Sequence, residues 1–79
     1  MPQFFFDTDD GERVFRDRDG LELADLDEVQ AEAASLLRDL AHGVVDAGGR
    51  RSVRTTVRDV NGALVYAGTM TLTLERLGA

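Results

Sequence analysis

Residues Ala24–Val45, ADLDEVQAEAASLLRDLAHGVV, form the stretch on which the fold turns. Projected at the helical period, Leu26, Val29, Ala33, Leu36, Leu37, Leu40 and Val44 fall within an arc of roughly 100°, the width of a helix half buried against one layer. Asp27, Glu28, Glu32, Ser35, Arg38, Asp39 and His42 fall opposite. Asp25 and Glu28 stand as N-cap and capping-box partners, with Ala24 and Val29 at staple positions. Gly43 is expected to loosen the last turn. The helix is expected to be over by Gly48 and Gly49, where a left-handed cap is inexpensive.

A helix with one apolar stripe needs a layer to cover, and the flanking sequence supplies two hairpins. Ser52–Asp59 and Ala63–Leu74 flank Asn61-Gly62, a strong signal for a type I′ turn. A two-residue tip sets Val57 opposite Tyr66, Thr55 opposite Gly68 and Val53 opposite Met70, with Leu72 and Leu74 on the same side. The reverse side then carries Arg58 against Val65, Thr56 against Ala67 and Arg54 against Thr69, followed by Thr71 and Thr73. One register thus sorts apolar from polar side chains along both strands, and the apolar side should meet the helix. Near the N-terminus, Gln3–Asp7 reads as a strand, Asp10-Gly11 as a tip and Arg13–Arg16 as the return. That tip would set Phe6 opposite Phe15, with Phe5 and Val14 on the other face; a three-residue loop would shift this pairing. Asp17–Gly20 forms a second turn, and Leu21–Leu23 a short extended piece that delivers the chain to the helix.

The expected architecture is a single α+β domain over residues 1–79: an antiparallel four-stranded sheet with one long helix on one face, in the order strand, strand, helix, strand, strand. The last strand, with the longest alternation, is expected at the centre.

Seventy-nine residues enclose only a thin core, and chains of this size often lean on disulfides, metals or self-association. With no cysteine and one histidine the first two are poorly supplied, which favours oligomerisation. The opening has no basic segment followed by a long apolar run, and no stretch is long and apolar enough to span a membrane. The chain is therefore expected to be cytoplasmic. Its net charge is −6 and all nine basic residues are arginine, a balance that opposes indiscriminate nucleic-acid binding.

Asp7, Asp9, Asp10 and Glu12 suggest calcium, but Gly11 falls one position too early for an EF-hand loop and a strand follows in place of a helix. Aspartates belong at hairpin tips for their own reasons, and the turn reading is favoured by roughly ten to one. His42 has Arg38 and Asp39 as helical neighbours and no partner that would make it a general base. There is no Gly-x-Ser-x-Gly elbow and no phosphate-binding glycine loop. No catalytic residue, metal ligand or cofactor is assigned.

Arg50, Arg51, Arg54 and Arg58 concentrate the basic charge. Arg54, Arg58, Thr56, Thr69 and Thr71 share the open sheet face and form the candidate partner or nucleic-acid surface, although no aromatic for base stacking stands among them. Solvation, or pairing with acids of a second subunit, is favoured for that face by about three to one. Phe4, Phe5 and Phe6 cannot all face the helix. Phe5 with Val14 and Val65 would make an apolar patch on the open face, the candidate self-association surface of a homodimer.

Met1, Pro2, Phe4–Phe6, Asp10, Gly11, Gly20, Leu23, Asp25, Leu26 and the later Arg58, Asp59 and Gly62 together resemble a family of short bacterial proteins grouped as a domain of unknown function. Its members open with Met-Pro, an aromatic run and an Asp-Gly hairpin, and end in an RDxxG hairpin. The resemblance covers nearly the whole chain and implies turns and core positions, with no activity attached. More distantly, the layout resembles the partner-binding domain of HicB-type antitoxins, without their Pro-Gly-Cys segment or a separate DNA-binding domain; this is a likeness of fold alone.

The leading reading is a non-catalytic, self-associating interaction or regulatory module with a protein partner. The alternative is a nucleic-acid-associated regulator using the Arg/Thr face, and a minor third is a metal- or ligand-binding domain at the acidic hairpin.

Overall fold

The computed structural model describes residues 1–42 and 50–78. The expectations for Gly43, Val44 and the Gly48-Gly49 cap lie outside the described residues. The elements in chain order are β1 (Gln3–Asp9), β2 (Val14–Phe15), β3 (Leu21–Glu22), α1 (Leu26–His42), β4 (Arg50–Arg58) and β5 (Leu64–Thr73). The sheet is antiparallel, in the order β2-β1-β4-β5, and β3 pairs with the other half of the outer edge of β1. This is the expected α+β arrangement of one helix and an antiparallel sheet. Leu21–Glu22, expected only as an extended piece, adds a short fifth strand. No helix among the described residues is long and apolar enough to cross a membrane.

The strand expected at the centre lies at an edge. β1 occupies one side of β4, so the hairpin partner β5 takes the outer side. Ten residues of alternation report that one face of a strand is covered; they carry no information about whether both of its edges are paired.

α1 starts where its cap predicts. The Asp25 carboxylate accepts from the Glu28 N–H at 3.0 Å, and the Glu28 carboxylate accepts from the Ala24 N–H at 3.2 Å, one residue earlier than in the usual reciprocal box. Val29, Ala33 and Leu37 are buried and Leu36 and Leu40 half buried. Leu26 in the first turn stays 50 % exposed, so the buried stripe begins one turn later than expected.

Beneath the helix lie Phe4 and Phe6 from β1 and Val53 and Val57 from β4. Thr55, fully buried between the two valines, donates its hydroxyl to the Asp7 carbonyl at 2.9 Å, which satisfies a polar group that would otherwise oppose burial. Its neighbour Gly68 leaves room for the helix: Leu37 Cδ1 lies 3.1 Å from where a Cβ would stand.

Both hairpin tips differ from expectation, with different consequences. In the second, Gly62 donates to the Asp59 carbonyl at 3.0 Å and Asp59 to the Ala63 carbonyl at 2.9 Å. Gly62 alone has positive φ, 84°, so the loop has three residues, Val60–Gly62, and ends in a left-handed glycine. This displaces the pairing by one residue, and Arg58 meets Leu64 rather than Val65. A bulge between Val57 and Arg58 on the pairing path then restores Val57 to Tyr66, Thr55 to Gly68 and Val53 to Met70. In the first hairpin nothing compensates. Asp10 donates to the Arg13 carbonyl and Gly11 has φ of 92°, so the tip is Gly11-Glu12, with glycine at the first central position. Phe15 consequently stands opposite Thr8 instead of Phe6, and Val14 opposite Asp9.

Candidate functional site

The open face of the sheet carries the candidate surface, and its arginines are engaged within the chain. β1 brings Phe5 opposite Arg58, Asp7 opposite Thr56 and Asp9 opposite Arg54. Arg58 takes Asp7 with two donors, Nε to Oδ2 at 2.8 Å and Nη2 to Oδ1 at 3.1 Å, and Nη2 also reaches the Asp17 carbonyl at 2.6 Å. Its guanidinium lies over the Phe5 ring, 4.9 Å from the centroid. Arg16 stands 3.9 Å from the same Asp7 carboxylate.

Asp7 and Asp17 complete this knot. The Asp7 carboxylate accepts from the Asp17 N–H at 2.9 Å. One Asp17 oxygen accepts from the Phe6 N–H at 3.1 Å, and the other from Asp19 and Gly20 at 3.1 and 3.2 Å. The Arg58 hydrogen bond holds the Asp7 carboxyl below the usual range against the opposing effect of burial. Burial pushes Asp17 upward, yet the N–H groups of Phe6, Gly20 and Asp19 outweigh it and leave it lowered. Asp7 in turn raises Arg58. All of these groups are held in their charged forms, the condition of a structural tie.

The rest of the face is cross-linked more lightly. Arg54 donates to the Thr69 hydroxyl at 2.9 Å, and Ser52 and Thr71 share a hydroxyl bond at 3.0 Å; Arg51, on the helix side of β4 opposite Leu72, reaches Glu12 at 3.3 Å. Thr56 is half buried between its neighbours. The sequence grouped Arg54, Arg58, Thr56, Thr69 and Thr71 correctly as one face. It did not reveal the acids on β1 that meet them, because that pairing joins residues some 50 positions apart.

The apolar trio separates. Phe5 turns away from the helix, as one of the three phenylalanines must, but is half buried beneath Arg58 and beside Gly20, whose Cβ would stand 2.8 Å from the ring. Val65, at the bulge, packs against the core. Val14 alone stays out, 77 % exposed.

On the opposite face the helix packs over β4 and β5. One helix is about 10 Å wide and strands lie about 4.8 Å apart, so the β1–β2 side stays open. There a groove of about 490 Å³ runs between the first hairpin and the helix, with Phe6, Phe15, Leu21, Leu36 and Leu40 along its walls and Asp10, Arg13 and Glu32 among its polar members. Phe15 is 63 % exposed in it. The sequence placed Phe6, Phe15, Leu36 and Leu40 on the helix side, assigned Leu21 no face, and carried no sign that the helix would leave the first hairpin uncovered.

The acidic hairpin uses its carboxylates on its own backbone. Asp9 accepts from Gly11, and Asp10 from Glu12 and Arg13, at 2.8–2.9 Å; the Arg13 and Glu12 N–H groups hold Asp10 below the ordinary range. His42 is exposed in the last helical turn.

Comparison with curated proteins and with solved structures returned no match. A family model does match, over residues 3–71, from the start of β1 through most of β5. The match spans most of the chain, and the chain belongs to the family described as a domain of unknown function, DUF6894.

Proposed function

We propose that the domain is a non-catalytic interaction module that self-associates and works in the cytoplasm through a protein partner. The observation that carries this reading is the mismatch between core and surface. Among the described residues the buried apolar set numbers seven, while Val14, Phe15, Leu21, Leu64 and Leu74 are all at least 41 % exposed. A domain this small gains most from covering such residues with another chain. The groove beside α1 offers a second apolar surface of the kind a partner-binding layout requires.

The Arg/Thr face supports the alternative, a nucleic-acid regulator, less well. Its most buried arginine is tied to Asp7 and the Asp17 carbonyl, so binding a phosphate there would first break a bidentate ion pair. Light scattering of the purified domain at tens of micromolar tests the leading reading. Twice the mass of one chain is expected, and a monomer across that range would refute self-association.

A further inference from the structure

β5 is ten residues long, pairs with β4 alone among the described strands, and forms the free edge of the sheet. Antiparallel pairing uses the N–H and C=O of every second residue, so half of its backbone groups point outward from the sheet. Edges that remain in water are ordinarily blunted by charge, proline or brevity. LVYAGTMTLT has none of these: not one of the chain's fifteen acidic or nine basic residues, nor its proline, falls within it.

We propose that this edge pairs antiparallel with the same edge of a second copy, with Thr69 on the two-fold axis, so that two sheets become one. The proposal rests on the self-association reading and adds its surface and register.

A two-fold axis normal to the sheet keeps both helices on one side, and directly opposed residues must point to the same face. The axis must therefore pass through a residue rather than between two. Centring on Thr69 uses the regular part of β5 beyond its bulge and gives a consistent set of neighbours. On the helix side Tyr66 faces Leu72 of the second copy and Met70 faces Gly68. The three large side chains, Tyr66, Met70 and Leu72, are half buried in one copy and would be covered further by the pairing. On the open side Thr69 faces itself and Ala67 faces Thr71, pairs that favour adjacent strands. No like charges meet. A foreign strand could satisfy the same backbone groups, but the pairing of Tyr66 with Leu72 on the helix side, and of Thr69 with itself and Ala67 with Thr71 on the open side, is a property of this strand with itself.

The chain has no cysteine, so one introduced thiol reports its own distance. Thr69→Cys should form an intermolecular disulfide under mild oxidation. Thr71→Cys should not, since its copy lies four residues away along the strand, about 13 Å and beyond disulfide reach. Thr69→Lys sets two ammonium groups opposite each other and should raise the dimer dissociation constant by about tenfold or more, with circular dichroism unchanged. A dimeric wild type in which Thr69→Cys cross-links no faster than Thr71→Cys and Thr69→Lys remains dimeric would overturn the edge pairing and leave self-association standing. A monomeric wild type would overturn both.

Discussion

The outer edge of β1 and the outer edge of β5 face the same solvent and are finished in opposite ways. Along β1, β3 takes Gln3 and Phe4, the Asp17 carboxylate takes the Phe6 N–H, and β2 takes Thr8 and Asp9. Two scraps of strand and one side chain seal the edge of a seven-residue strand. Along β5 no described residue seals any of ten. The difference is not one of strand length, since β5, with ten residues, is longer than β1, with seven. It lies in the chain that follows: after β1, the thirteen residues 10–22, turn and short strand, fold back over the edge. A sheet finished on one side only has a direction in which to grow.

The sealed edge is also the edge joined to the core, and the largest predicted effects lie there. Phe6 is buried in the central cluster with Val29 and Val57, and Phe6→Ala should cost about 3–5 kcal/mol in urea unfolding. Met70→Ala, at a half-buried site on β5, should cost clearly less, and more so in a dilute sample than in a concentrated one if β5 is paired in solution. Equal losses at the two positions would contradict the contrast between the edges.

Next comes the seal itself. Asp17→Ala removes the acceptor of three backbone N–H groups, those of Phe6, Asp19 and Gly20, and the loop that positions β3 with it. A loss of about 2 kcal/mol is expected, together with faster amide exchange at Phe6 while the β4–β5 amides keep their protection. Gly20→Ala reaches the same loop by another route. Its φ of 74° and the Phe5 ring 2.8 Å from the would-be Cβ predict about 1–2 kcal/mol of strain, read in the same unfolding experiment.

How legible each edge was in the sequence follows from the range of the interactions that make it. The inward and outward sorting of β4 and β5 was readable because it repeats every two residues and needs only adjacent strands. Even the error at the Asn61-Gly62 tip was harmless, since a three-residue loop and a bulge offset each other. The first hairpin had no such compensation. A two-residue β2 carries too few alternating positions to correct a misplaced tip, so Phe15 was set against the wrong partner. The tie between Asp7, Arg58 and Asp17 was invisible for a different reason. Asp7 and Arg58 are each ordinary strand residues, and only the β1–β4 pairing across the helix makes them neighbours.

Acid weakens the seal through the same carboxylates. Asp7 and Asp17 both titrate lower in the folded chain than their ordinary value of 3.8. A carboxyl whose folded pKa is lowered stabilises the fold at all pH values above its unfolded pKa, and that contribution is lost as pH falls through the folded pKa. Unfolding free energy should therefore be insensitive to these groups between pH 7 and about pH 5. It should fall as the solution passes below 3.8, and the fall should be shallower in Asp7→Asn. An equally steep fall in that variant would assign the acid sensitivity to other carboxylates.

The smallest effect on the fold is expected at the bare edge, and there it is the most informative. Thr71 is exposed and shares one hydroxyl bond with Ser52 on the open face. In a dilute sample Thr71→Lys should change unfolding free energy by no more than about 0.5 kcal/mol, the usual range for a surface site. At high concentration the two chains should separate. The wild type, stabilised by mass action wherever the folded form associates and the unfolded form does not, should melt higher as concentration rises. The lysine variant should not, because its added charge stands at the joint between strands. Parallel concentration dependence in both would mean that β5 is not the surface that associates, however bare its edge.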